Sequence, residues 1–249
     1  MVNYEERFVA FVDILGFEDL IDRSVGSNRS VTPVQIKEAL LTPDPAERDM
    51  IVLGRIGDIS DSGHRMVAFS DSVVITTNPT EQGLMHMLHH IEKIGFRLIN
   101  LGFLCRGGIS RGLVYHKDEI IFGPAMISAY RLEQAAVMPR IILHDDVATI
   151  GLSAKPPMHE IFNRFTRKDV DNFYFVNILR IIRMIMDAES GPTEEFQQMC
   201  NKIEKHLLEE IRRIEGDERK LKKLEWFKQY FDWARDRSGW ELLNQSFPR

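Results

Sequence analysis

The stretch FVAFVDILGF at residues 8–17 decides how the rest of the chain is read. Phe8–Asp13 is apolar, rich in aromatic and β-branched residues and free of polar alternation, the pattern of a strand covered on both faces. It closes on an acid, Asp13; Ile14–Gly16 then turns the chain into Phe17–Asp22, which reads as the start of a helix. A second acid, Asp71, stands in FSDSVVITT at 69–77, where His64–Phe69 and Ser72–Thr77 flank Ser70-Asp71 as a hairpin with Asp71 at its tip. Two carboxylates at the ends of neighbouring strands are what a two-metal phosphoryl-transfer site requires, because Mg²⁺ or Mn²⁺ takes hard oxygen ligands and fills the rest of its shell with water or phosphate.

Further along, Leu84, Leu88, Ile91, Ile94, Leu98 and Ile99 recur at helical spacing between Thr80 and Asn100, with Gly102 as terminator. Phe103–Ser110 and Gly112–Tyr115 read as a long strand or a strand bent at glycine, Gly123–Val137 as a helix with Pro124 in its first turn, and Arg140–His144 as a short strand. One helix is expected near Val34–Leu41, and residues 54–63 read as loops, alone or with a short strand. The order β, α, ββ, α, β, α, β predicts an α/β class fold, an α+β sandwich with helices on one side of a mixed sheet. From about residue 176 the character changes, and three helices are expected at 176–187, 193–215 and 217–236. The second is amphipathic through Phe196, Met199, Cys200, Ile203, Leu207, Ile211 and Ile214. The chain thus divides into a sheet domain over 1–175 and a helical extension over 176–249. Cutting after about residue 190 is expected to leave the metal site intact and to weaken a dimer.

With 249 residues, 44% hydrophobic and 28% charged, the composition is that of an ordinary globular protein. A net charge of −5 and a pI near 5.9 argue against a surface built for nucleic acid. Cys105 and Cys200 read as reduced, structural thiols. The start, MVNYEERF, lacks a basic region leading into an apolar stretch, and the longest apolar run, Val176–Met186, is interrupted by Asn177, Arg180 and Arg183; a cytoplasmic protein with no membrane partner is expected.

Taken together, FVDILGF, FSDSVV, RGGISRG at 106–112 and GPAMISAYRL at 123–132 resemble, in order and interval, the signature segments of the class III nucleotidyl cyclases over Phe8–Leu143. The resemblance implies a cyclase-like mixed sheet with a ferredoxin-like βαββαβ core. It also implies a homodimer with active sites at its interface, and conversion of a nucleoside triphosphate to the 3′,5′-cyclic monophosphate and pyrophosphate with two Mn²⁺ or Mg²⁺ ions per site. On this resemblance Asp13 and Asp71 take the metal positions, with the Ile14 carbonyl, and Arg131 takes that of the transition-state arginine. Phe11, Ile14, Leu15, Gly16 and Phe17 would contact the nucleotide, the backbone N–H groups of Leu15–Glu18 cradling the triphosphate.

The departures from the family matter as much. Ile127 stands where the family carries the ribose-orienting asparagine, and Val67 and Ile120 stand where its purine-reading pair would be. An apolar pair cannot make the hydrogen bonds that separate one base from another. A compact cyclase with no purine code is similar to the Pycsar pyrimidine cyclases of bacterial antiphage defence, which implies cyclic UMP or cyclic CMP as product and a separate effector protein as its receiver. Arg65, on the same strand face as Val67, is a candidate to reach a base carbonyl, and Arg97 is another. An arginine donor favours the uracil O4 over the cytosine amino group, and so UTP.

Other readings stand beside these. Asp58 is a rival to Asp71 for the second metal position. Arg106 and Arg111 read as surface or salt-bridge residues, and His86, His89 and His90, at i, i+3, i+4, lack the further ligands of a metal site. A catalytically dead cyclase-like module, and a cytidylate or purine cyclase, are the alternatives.

Overall fold

The computed structural model describes residues 3–25, 31–40, 62–214 and 216–235; Asp58 lies outside them. Strand β1 (Glu5–Leu15) leads into helices α1 (Phe17–Val25) and α2 (Pro33–Leu40), and then come the hairpin β2 (Arg65–Phe69) and β3 (Ser72–Thr77), helix α3 (Glu81–Asn100) and strand β4 (Leu104–Lys117). A short β5 (Ile120–Phe122), helix α4 (Pro124–Ala135) and β6 (Ile141–Leu143) follow. The remainder holds α5 (Asp145–Ser153), α6 (Met158–Phe165), β7 (Thr166–Lys168), β8 (Tyr174–Val176), α7 (Arg180–Met186), α8 (Glu194–Arg213) and α9 (Glu218–Arg235).

The sheet runs β2-β3-β1-β4-β6-β8-β7, with β5 paired to β4. β1 is antiparallel to both β3 and β4, and β6 joins β4 in parallel, so the sheet is mixed and its first four strands carry the expected βαββαβ core. Because side chains alternate along β1, Phe8, Ala10, Val12 and Ile14 enter one apolar core while Val9 and Phe11 face another. The first core is closed by α1, α2 and α3. α3 begins where Thr80 Oγ1 accepts from the Gly83 N–H at 3.1 Å.

The expectation of helices on one side only is corrected here: α4 lies on the opposite face, with Ala125 and Ala129 against Val9, Val74 and Val114. The reason is in the residues. Val9 and Val74 give that face its own apolar patch, and at Gly108 a Cβ would sit 2.3 Å from the Leu132 Cβ and 2.5 Å from the Ala129 carbonyl oxygen, so only glycine lets α4 approach. α4 crosses β4 and β1 and leaves β2 largely open, with Phe69 80% exposed.

The C-terminal helices share the first core. Cys200, Ile203 and Leu207 of α8 and Trp226, Phe227, Tyr230 and Phe231 of α9 are buried in it. Tyr230 is wholly enclosed; its hydroxyl donates to Asn177 Oδ1 at 2.6 Å and accepts from the Leu179 N–H at 3.3 Å. α7 is tied to α3 by a buried bidentate pair, Arg180 Nε to Glu92 Oε1 at 2.8 Å and Arg180 Nη2 to Glu92 Oε2 at 3.1 Å. No described helix is long and apolar enough to cross a membrane. Both cysteines are buried, and burial pushes the Cys105 thiol up to about 12, which suits packing and not nucleophilic chemistry.

The shared core changes what truncation is expected to do. The four α9 aromatics alone contribute on the order of 10 kcal/mol of apolar burial, comparable to the net stability of a whole domain. Chain ending at residue 190 is therefore expected to lose cooperative unfolding and bind a hydrophobic dye; a sharp calorimetric transition in that fragment would contradict the shared core.

Candidate functional site

Asp13 lies near the C-terminal end of β1, in register with Ser72 of β3 and Arg106 of β4. Its position along the alternation puts it on the face that carries Phe11 and α4, away from the first core. The Ser70-Asp71 turn, with Ser70 in the left-handed region at φ 53°, is pinned to β1 by the Ile14 N–H donating to the Asp71 carbonyl at 2.8 Å. That hydrogen bond brings the two predicted metal carboxylates to adjoining strand ends. Ser72 Oγ donates to Asp71 Oδ1 at 3.3 Å.

Asp13 has a further neighbourhood the sequence did not announce. Arg106 Nε sits 3.5 Å from Asp13 Oδ2 and forms a close ion pair with Glu133 Oε1 of α4. Burial pushes the Asp13 carboxyl above the ordinary carboxylate range; Arg106 pulls it down and Asp71 pushes it up. Glu133, 1% exposed, is likewise raised by burial, lowered by Arg106 and raised by Asp13. The reading of Arg106 as a salt-bridge residue is met, but its partners are the candidate metal acid and a buried glutamate. Glu133 lies two positions beyond Arg131 in a helix turn whose burial only the tertiary packing fixes.

The oxygen-only donor set fits a hard divalent cation: Asp71 lies close enough to raise the proton affinity of Asp13, and a shared positive charge would favour the ionised pair. Among the described residues no three His, Cys, Asp or Glu side chains converge as a metal cluster, so Asp13 and Asp71 would leave most of the coordination shell to backbone, water and phosphate. His86, His89 and His90 are buried on α3, and His64 Nε2 lies 2.7 Å from His90 Nδ1. Burial, then His86, Arg7 and His116, hold His64 down to about 4.

The other predicted residues divide. Phe11 is half-buried and meets Tyr130 edge-on at 5.5 Å. The Ile14 side chain is buried in the core. Leu15, Gly16 and Phe17 form the turn into α1, where Gly16 takes φ +77° and its carbonyl accepts from the Leu20 N–H at 3.1 Å. That leaves the first backbone N–H groups of α1 without a helical partner, beside the end of β1. Arg131 is exposed on α4, and among the described residues it makes no ion pair. Arg65 stands on the same sheet face as Asp13, two strands over, 3.1 Å from Glu5 and donating to the His116 carbonyl. Arg97 is not brought to the site: it projects from α3, which packs on the other face, and donates to the Glu38 carbonyl at 2.8 Å.

No protein-family model matches the chain, and no curated protein matches it. Solved structures do. The adenylyl cyclase CyaB from P. aeruginosa aligns at 15% identity over 70% of this chain and 95% of that one, with a TM-score of 0.42. The catalytic core of a rhodopsin-guanylyl cyclase with converted specificity, in complex with ATPalphaS, aligns at 17% over 70% and 96%, with a TM-score of 0.40. An adenylate/guanylate cyclase/hydrolase from Silicibacter pomeroyi aligns at 18% over 69% and 95%, with a TM-score of 0.38.

A carboxyl whose folded-state affinity for protons is raised opposes folding when ionised, and that opposition fades as pH falls through its pKa. Asp13→Asn is therefore expected to raise the melting temperature at pH 7 by about 2–4 °C, the effect of ~1 kcal/mol in a chain of this size, with the gain shrinking toward acid pH. A melting temperature lowered at pH 7 would show that the Arg106 contact outweighs the burial of Asp13.

Proposed function

We propose that the protein is a metal-dependent, homodimeric nucleotidyl cyclase of the class III type, acting in the cytoplasm on a pyrimidine nucleoside triphosphate, UTP in preference to CTP. The observation that carries this reading is the hydrogen bond from Ile14 to Asp71, which brings Asp13 and Asp71 to adjoining strand ends in a half-buried place, next to the start of α1. Asp13 and Asp71 would hold two Mn²⁺ or Mg²⁺ ions, with the Ile14 carbonyl. Bound there, the ions would acidify the 3′-hydroxyl and neutralise the leaving pyrophosphate.

The chain's own groups supply the rest. The N–H groups at the Leu15–Glu18 turn face the end of β1, where phosphate oxygens would accept from them. Phe11 offers an apolar surface between the carboxylates and the open half of the sheet. Arg131 is exposed, and with it on α4 are the exposed Ile127 and Tyr130, at 53% and 48%. A second copy related by a two-fold axis would cover these and bring its Arg131 over the first copy's carboxylates, where a planar cation stabilises charge building on the α-phosphate. The product, a cyclic pyrimidine nucleotide, would act on a separate effector in defence against phage.

A second reading, a cyclase-like module that binds nucleotide without turnover, is favoured by Ile127 in the ribose-orienting position. Incubation with ATP, GTP, CTP and UTP plus Mn²⁺ separates the two. The expected result is a cyclic pyrimidine monophosphate by mass, absent with Asp71→Ala; binding without any product would establish the inactive module. The shared site has its own test. Asp71→Ala and Arg131→Ala are each expected to be inactive, while their equimolar mixture recovers about a quarter of wild-type activity, because half the dimers are mixed and each mixed dimer holds one intact site. A mixture as inactive as its parts would place both residues in one chain's site.

A further inference from the structure

β1 ends, and β3, β4 and β6 begin, along one rim of the sheet, with Asp13 opposite Ser72, Leu15 opposite Leu104 and Gly107 opposite Ile141. The C-terminal helices close on this rim. Nε2 of His206, on α8, lies 2.9 Å from the Gly102 carbonyl oxygen, just ahead of Phe103; a Cβ on Gly16, in the turn into α1, would lie 4.0 Å from the Phe103 ring. Farther along, the Trp226 ring of α9 lies 5.7 Å from the Arg140 guanidinium carbon. The Arg140 carbonyl accepts from the Gly107 N–H at 3.1 Å, and the residue before Gly107 is Arg106, which pairs with Asp13. Helix α9 thus reaches the rim that carries the candidate metal acids.

Lys223 precedes Trp226 by three residues, so the two share a side of α9, about 4.5 Å apart along its axis. Leu224 is buried in the first core and anchors this turn of the helix. Lys223 itself is half-buried, and among the described residues it makes no ion pair. Lys228, the next lysine of α9, is by contrast engaged by Glu204 and Asp232 at 3.2 and 2.6 Å. What Lys223 has is a carboxylate at longer range: like that of Arg106, its charge favours the ionised form of Asp13. A lysine held at an acidic site without an anion of its own is placed to receive one.

The site creates the demand. Asp13 and Asp71 would take up part of the charge of any cation they hold, and Arg106 is engaged by Glu133. A phosphate tail lying between those carboxylates and the turn into α1 is then short of positive charge, and an ammonium on the same rim supplies it. We infer that Lys223 contacts the phosphate tail of a nucleoside triphosphate bound at Asp13 and Asp71, so that the C-terminal helices give the site a binding residue as well as packing. The inference rests on the cyclase reading above and adds to it a residue from outside the segments that carry the cyclase motifs. Because the tail is common to every nucleotide, Lys223 sets affinity and leaves the choice of base untouched.

The test uses the 3′-deoxy forms of UTP, GTP, CTP and ATP, which lack the attacking hydroxyl, in titration calorimetry with Mn²⁺ on the full chain. Lys223→Gln is expected to bind every analogue that the wild type binds about tenfold more weakly. Lys223→Arg, which keeps the charge, is expected to stay within about threefold of the wild type. Lys202→Gln, which removes an exposed lysine from α8, is expected to bind as the wild type does. Reductive methylation followed by peptide mass reads the wild type directly. Lys223 is expected to be modified in the free chain and protected by a bound analogue, a readout that stands even where Lys223→Gln fails to fold. Equal modification with and without the analogue, unchanged binding in a folded Lys223→Gln, or an equal loss in Lys202→Gln overturns the role of Lys223, while turnover of the ordinary nucleotides leaves the cyclase reading in place. A wild type that binds none of the four analogues and turns over no nucleotide overturns both.

Discussion

Everything in this molecule depends on β1 being buried on both faces. A strand that is covered on one face alone is held in register by one row of side chains, whereas β1 sends Phe8, Ala10, Val12 and Ile14 into one core and Val9 and Phe11 into another. Slipping by one residue would exchange the two rows and push Asp13 into the larger core. The position of the acid is thus fixed by apolar packing several residues away from it. Glycine at 108 completes the constraint, since it admits α4 to the second face and with α4 come Glu133 and Arg131.

The site collects negative charge in a half-buried place, which is unfavourable unless something offsets it. In the isolated chain Arg106 does so, lying between Asp13 and Glu133. Both acids are still shifted upward by burial, so the offset is partial. The arrangement is typical of a site that is stabilised further by a cation than by its own residues.

The four-strand core, the hairpin with Asp71 at its tip, α3 with its Gly102 terminator and the three C-terminal helices were legible in the sequence, because each has a strong period or a defined boundary residue. The segment 145–176 was not. β7 and β8 have three residues each, and β8 is held to the sheet through Phe175 opposite Ile142; strands that short are made by pairing and not by propensity. α5 and α6 are short as well, and their run of mixed residues gave no clear period. Of the candidate site, the two aspartates and Arg131 were readable from their motifs. Glu133 was not, because a buried polar residue is recognised by its partner, and Arg106 is brought to it by the packing of α4 on β4 across 27 positions of sequence. Arg97 misled for the converse reason: an arginine on an amphipathic helix looks the same in sequence whichever side of the sheet the helix takes.

In the proposed dimer, the exposure of Arg131, Ile127 and Tyr130 has a consequence for control. A centre assembled from two copies is absent from each copy alone, so at concentrations below that of half-association its output would rise with the square of protein abundance. Doubling synthesis would then quadruple the signal, and dilution would silence it, with no receptor segment needed. Abundance itself would be the input, and the sheet face left open by α4 would be where it is sensed.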